Sequence, residues 1–156
     1  MNFNNLAEEA EDKGIEIVEH KFNSIRLKAI YHDGIITINS TYAATDDEKK
    51  CILAEELGHY HKSYGNILDL NNSIAAKQEK CARNWAYERL VPLSGFIDAF
   101  NVGIRNRNEL AQFLGVTEEF VAMAIKHYSE KYGLCKRING YIIYFEPLGV
   151  LKMIDI

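Results

Sequence analysis

The segment from Cys51 to His61 reads Cys-Ile-Leu-Ala-Glu55-Glu56-Leu-Gly-His59-Tyr60-His61 and gathers carboxylates and imidazoles at helical spacing. Residues four apart on a helix share a face, with Cβ atoms roughly 6 Å apart. Glu55 and His59 can therefore reach one metal ion together. Glu56 lies about 100° further round the helix, where its carboxylate can face a water on the open side of that metal. This is the geometry of the His-Glu-x-x-His motif, whose glutamate is the general base. Catalytic zinc usually has three protein ligands and one water, so a third ligand is required. Glu79 is the best candidate, twenty residues after His59 and early in a second helix that a short loop would bring back antiparallel over the first.

The neighbouring residues carry weaker signals. Tyr60 and Tyr64 can donate to a developing oxyanion, although aromatics at this spacing also serve as core or rim. His61 sits about 200° round the helix from His59, which suits solvent or packing behind the site better than ligation. Cys51, one turn before Glu55, reads as a small buried thiol.

These residues carry a resemblance. Glu56-Leu57-Gly58-His59 is similar to the His-Glu-x-Gly-His helix of the ImmA/IrrE metallopeptidases. Glu79, followed by Ala82, Trp85-Ala86 and Leu90-Val91-Pro92, is similar in order and spacing to that family's second element, a glutamate ahead of an Ala-aromatic-Ala run that ends at Leu-x-Pro. The resemblance implies a zincin-like α+β fold, one divalent metal (zinc, with manganese as the alternative), ligation by Glu55, His59 and Glu79, and Glu56 as base. It also implies a narrow substrate: a helix-turn-helix repressor protein, cleaved by an anti-repressor of a phage or mobile element. One position departs from the pattern. The first motif residue is Glu55 instead of histidine. Two anionic ligands acidify a bound water less than one does and tilt selectivity towards harder ions. A pseudo-peptidase that binds the repressor without cutting it is the alternative function.

The remaining sequence supplies the elements that must position these groups. A chain of 156 residues is usually one domain and can bury a sizeable core. An acidic helix is expected over residues 2–13, then strands from Ile15 to about Phe22, Ile25 to Tyr31 and Ile35 to Asn39, the last two joined by the turn signal His32-Asp33-Gly34. Together they predict a small N-terminal antiparallel sheet. Thr45-Asp46-Asp47-Glu48 is a capping box opening a helix over 46–63. A polar connection, Asn66 to Asn72, leads to a second helix over 73–90. Shorter helices follow at Phe96–Phe100, Asn106–Leu114 and Thr117–Tyr132, and Asn139-Gly140 predicts a C-terminal hairpin. The expected organisation is a single metallopeptidase-like domain, with residues 1–92 as catalytic core and 93–156 as a helix-turn-helix-like helical subdomain plus hairpin.

Charge and composition narrow the function further. Eighteen basic against twenty-two acidic residues give a net charge of −4, the wrong sign for a protein held by phosphate. The helix-turn-helix-like segment places Glu118 and Glu119 at the start of its would-be recognition helix, so direct DNA binding is not expected and a DNA-binding regulator is the weakest reading. Three cysteines with no paired spacing fit a reducing cytoplasm. No membrane span or signal peptide is expected, since no run approaches the roughly 20 apolar residues a span requires.

Overall fold

The structure, a computed structural model, describes residues 1–62 and 72–154. The connection expected from Asn66 onward therefore lies, up to residue 71, outside the described residues, as does Tyr64. The chain divides into two compact units, Met1–Ala86 and Tyr87–Ile156. Its secondary structure is α+β, and among the described residues no helix is long and apolar enough to cross a membrane.

The first unit opens with α1 (Phe3–Asp12), held at its start by the reciprocal bonds of Asn2 and Asn5. Strands β1 (Glu16–His20), β2 (Ala29–His32) and β3 (Ile35–Asn39) form a sheet in the order β1-β3-β2. Asp33 and Gly34 take the positive φ values, 49° and 78°, that a two-residue hairpin turn requires. The β2–β3 pair is antiparallel, as expected, but β1 pairs with β3 in parallel, so the sheet is mixed.

Asn39 supplies the physical reason for this difference. Its side chain is fully buried, and its Nδ2 donates to the carbonyls of Ser24 and Leu27, each at 2.7 Å. Its Oδ1 accepts from the amides of Phe22 and Thr41. The three bonds to Phe22, Ser24 and Leu27 hold residues 22–27 as a loop, so the expected strand from Ile25 begins only at Ala29. The loop lets the chain turn back before β2, and the central place in the sheet falls to β3, with β1 on its free edge.

Helix α2 (Asp46–Lys62) starts on the expected capping box: the Glu48 amide donates to Thr45 Oγ1 at 3.2 Å, and Glu48 Oε2 accepts from the Thr45 amide at 3.1 Å. Helix α3 (Asn72–Leu90) crosses it at Gly58. A Cβ on Gly58 would overlap the carbonyl group of Ala82 and stand 3.1 Å from its Cα. The two helices thus touch backbone to backbone, an approach that only glycine permits. Leu53, Ala54 and Leu57 of α2 and Ala82 of α3 are buried.

In the second unit, the end of α3 is followed by α4 (Leu93–Asn101), α5 (Arg107–Leu114) and α6 (Glu118–Tyr132). Asn106 and Thr117 cap α5 and α6 through the amides of Glu109 and Phe120, and Gly115 closes α5 in the left-handed conformation at φ 63°. Strands β4 (Cys135–Ile138), β5 (Tyr141–Tyr144) and β6 (Gly149–Lys152) form an antiparallel sheet in that order. The hairpin at Asn139-Gly140 is present, and β6 extends it by a strand that the sequence reading did not anticipate. Phe96, Tyr128 and Phe145 interlock in this core, with Tyr128 and Phe145 stacked at 5.7 Å between ring centroids.

Candidate functional site at the α2–α3 crossing

The contact between Gly58 and Ala82 sets the distance between the two helices, and the polar residues beside it follow from that distance. His59 is the next residue after Gly58, and Glu79 lies one turn before Ala82. Their side chains meet, with His59 Nε2 at 3.3 Å from Glu79 Oε1. The other oxygen of Glu79 faces Arg83, one turn along α3, at 3.6 Å. The His59 side chain is 21% exposed and that of Glu79 46%, so the pair is half-sunk at a surface open to solvent.

Glu55 and Glu56 belong to the same electrostatic neighbourhood. Burial raises the Glu55 carboxyl above its ordinary range, while the positive charges of Lys28 and Arg83 pull it back and Glu79 pushes it further up. Glu56 is pushed up to about 7, first by burial and then by the negative charges of Glu55 and Glu79. Three carboxylates and one imidazole therefore share this crossing. A carboxyl tuned close to neutral can both take and return a proton at ordinary pH, which is the property a general base needs.

Two observations bear on whether these residues fit a metal. Donor atoms on a tetrahedral zinc with bonds of ~2.0–2.1 Å stand roughly 3.3 Å apart, the same separation as His59 Nε2 and Glu79 Oε1. The other ring nitrogen of His59, Nδ1, is buried and has no hydrogen-bond partner among the described residues. The pair fits as two donors. A third donor does not close on them: among the described residues no three His, Cys, Asp or Glu side chains stand together so as to hold a metal ion.

The other singled-out residues fall around this centre. Tyr60 is 45% exposed, with its ring edge-on to His61. His61 packs against Trp85 of α3, ring centroids 4.7 Å apart, and bolts the two helices together beside the crossing. Cys51 is a buried thiol. Glu118 is not presented as a free charge on α6: it receives Arg107 at 3.4 Å and Asn108 at 3.1 Å from α5. Sequence reasoning missed the two cations, Lys28 and Arg83. Arg83 was within reach, because it follows Glu79 by four residues on one helix. Lys28 was not, because only the Asn39-bound loop brings it near Glu55.

The sequence signature of the M78 peptidases, described as the IrrE N-terminal-like domain, matches residues 10–126 of this chain. That span includes the whole of α2, α3 and α5, and α6 as far as Lys126. Neither the curated proteins nor the solved structures contain a significant match.

Proposed function

The chain belongs to the peptidase M78 family, and we propose that it is a metal-dependent endopeptidase acting on a helix-turn-helix repressor protein, as a cytoplasmic anti-repressor of a phage or mobile element. The observation that carries the reading is the His59–Glu79 pair at ligand-to-ligand distance beside the Gly58–Ala82 contact. Family membership supports a metallopeptidase-like domain. The repressor as partner rests on resemblance and on a net charge of −4, which suits a basic protein surface.

In this reading His59 and Glu79 would hold the ion, with Glu55 closing on them as the third donor once it is bound; the ion would be zinc or, given the two carboxylates, manganese. When bound, the metal supplies a polarised, acidified water. Glu56 holds no metal. It accepts the proton of the water that attacks the peptide carbonyl and returns it to the departing amine. Tyr60 stands at the rim, where its hydroxyl can steady the carbonyl oxygen. Gly58 keeps α3 close enough for Glu79 to face His59.

A second reading is favoured by one specific observation. Glu55 occupies the position that a histidine takes in the motif, and no three-donor group stands ready among the described residues. The chain would then bind the repressor and act without cutting. Cleavage of purified repressor, followed by gel, separates the two. As an enzyme, Glu56→Gln loses ~10²–10⁴-fold in rate, the worth of a positioned general base, while its metal content and fold are unchanged. His59→Ala loses metal and cleavage together. If Glu56→Gln relieves repression as well as the wild type does, turnover is not the mechanism and the binding module is the correct reading.

A further inference from the structure

The second unit contains a cavity of about 310 Å³ between α4, the loop that leads into α5, and β6. Phe96, Phe100, Ile104, Leu110, Leu148 and Leu151 form its apolar wall, and Arg105 is the one charged residue among the described residues that line it. The volume lies at the small end of the ~300–1,000 Å³ range of small-molecule sites. It suits a compact ligand better than a helix or strand of a partner.

Arg105 is held in place before any ligand arrives. Its Nη1 donates to the carbonyls of Phe100 at 2.8 Å and Ile104 at 2.9 Å, and its guanidinium carbon lies 4.2 Å from the centre of the Phe100 ring. These contacts use one nitrogen and one face. The edge formed by Nη2 and Nε remains, and two parallel N–H groups match the two oxygens of a carboxylate. One cation in an otherwise apolar cavity balances a monoanion.

Gly149 is the second independent sign. It lies in β6 and lines the cavity, yet a Cβ there would meet nothing within 4 Å. Its φ is not among the positive values, so neither crowding nor backbone conformation demands glycine. Gly149 thus leaves its stretch of the cavity wall without a side chain.

From the cavity, Arg105 and Gly149 together, we propose that this site binds a small amphiphilic carboxylate, an aliphatic chain of medium length ending in one carboxyl group. The chain fills the apolar volume and the carboxylate pairs with the free edge of Arg105. None of its lining residues belongs to the α2–α3 crossing, and the proposal does not depend on the peptidase reading.

Isothermal titration of the full chain with decanoate, kept below its micellar concentration, tests the proposal. Saturable one-to-one binding is expected. Arg105→Gln should weaken it at least tenfold, with Arg105→Lys in between. Gly149→Leu, which fills the cavity, should abolish it while leaving the melting temperature close to that of the wild type. Decanol, with the same chain and no charge, should bind at least tenfold more weakly. Absence of saturable binding overturns the proposal, as does equal affinity for decanol or unchanged affinity in both Arg105→Gln and Gly149→Leu. Binding of a peptide ending in a leucine carboxylate without any binding of decanoate also overturns it, in favour of a peptide-terminus site. Should Arg105→Gln unfold because its loop bonds are lost, the decanol and Gly149→Leu results still decide.

Discussion

Glu56 in the first unit and Glu88 in the second are both carboxylates on helices, and they have opposite fates. Glu88 Oε1 accepts from His127 Nε2 at 2.8 Å and from Lys131 Nζ at 2.6 Å. Burial works to raise its carboxyl, but the hydrogen bonds from Lys131 and His127 outweigh it and hold the group below its ordinary value. Glu56 is raised to about 7 by burial and by the two neighbouring carboxylates Glu55 and Glu79. Charges that pair within the fold, such as Glu88 or Glu118, are parts of the structure. At the α2–α3 crossing, three carboxylates, Glu55, Glu56 and Glu79, face the two cations Lys28 and Arg83, and a further cation would relieve the carboxylates' mutual repulsion.

The largest effect is expected at Gly58. Gly58→Ala forces a methyl group into the Ala82 carbonyl, and overpacking of backbone against backbone should cost about 3 kcal/mol or more. Chemical denaturation should show this, together with loss of any activity that needs His59 beside Glu79. A Gly58→Ala protein with wild-type stability would mean that the two helices do not meet where the structure places them.

A smaller effect sharpens the contrast through pH. Glu56 has a folded pKa near 7 against 4.5 for the ordinary group. Between these values the folded, metal-free protein binds more protons than the unfolded chain, so its stability falls as pH rises from about 4.5 to 7. Glu56→Gln removes that burden. In chelated protein it should be nearly neutral at pH 4.5 and stabilising by about 1–3 kcal/mol at pH 8, measured as the shift in urea midpoint. The same gain at both pH values would show that Glu56 is not held in its acid form by the fold.

Glu88 should show the opposite slope and the smallest effect. Its folded pKa is lowered, so its contribution is present above the ordinary carboxylate value and is lost as pH falls through the lower folded value. The Glu88 side chain is 42% exposed, and pairs of that kind are worth roughly 0.2–1 kcal/mol. Glu88→Gln should therefore cost under about 1 kcal/mol at pH 7 and nothing in strong acid. A cost that persists in acid would have to come from packing instead of charge.

Much of this was readable in the sequence because it rests on local rules. The Thr45–Glu48 capping box and the Asp33-Gly34 and Asn139-Gly140 turns are each set by a few adjacent residues, and each lies where spacing predicts. The i, i+4 relation of Glu55 and His59 was legible for the same reason. What was not legible depends on residues far apart in the chain. Asn39 ties a loop more than ten residues away and thereby makes the first sheet mixed instead of antiparallel. The motif glycine Gly58 gained its physical meaning only when Ala82 was seen against it. β6 was missed because Gly149-Val150-Leu151-Lys152 is short and opens on a glycine, and it becomes a strand by pairing with β5.

The proposed metal site at the α2–α3 crossing is tested most directly by metal stoichiometry. Protein purified without chelator and dialysed against limiting zinc, and in parallel manganese, is analysed by mass spectrometry of the elements, with His59→Ala and Glu56→Gln variants alongside. About one ion per chain is expected, lost in His59→Ala and retained in Glu56→Gln. Uptake of neither metal by folded wild-type protein, or uptake that His59→Ala leaves intact, would contradict it.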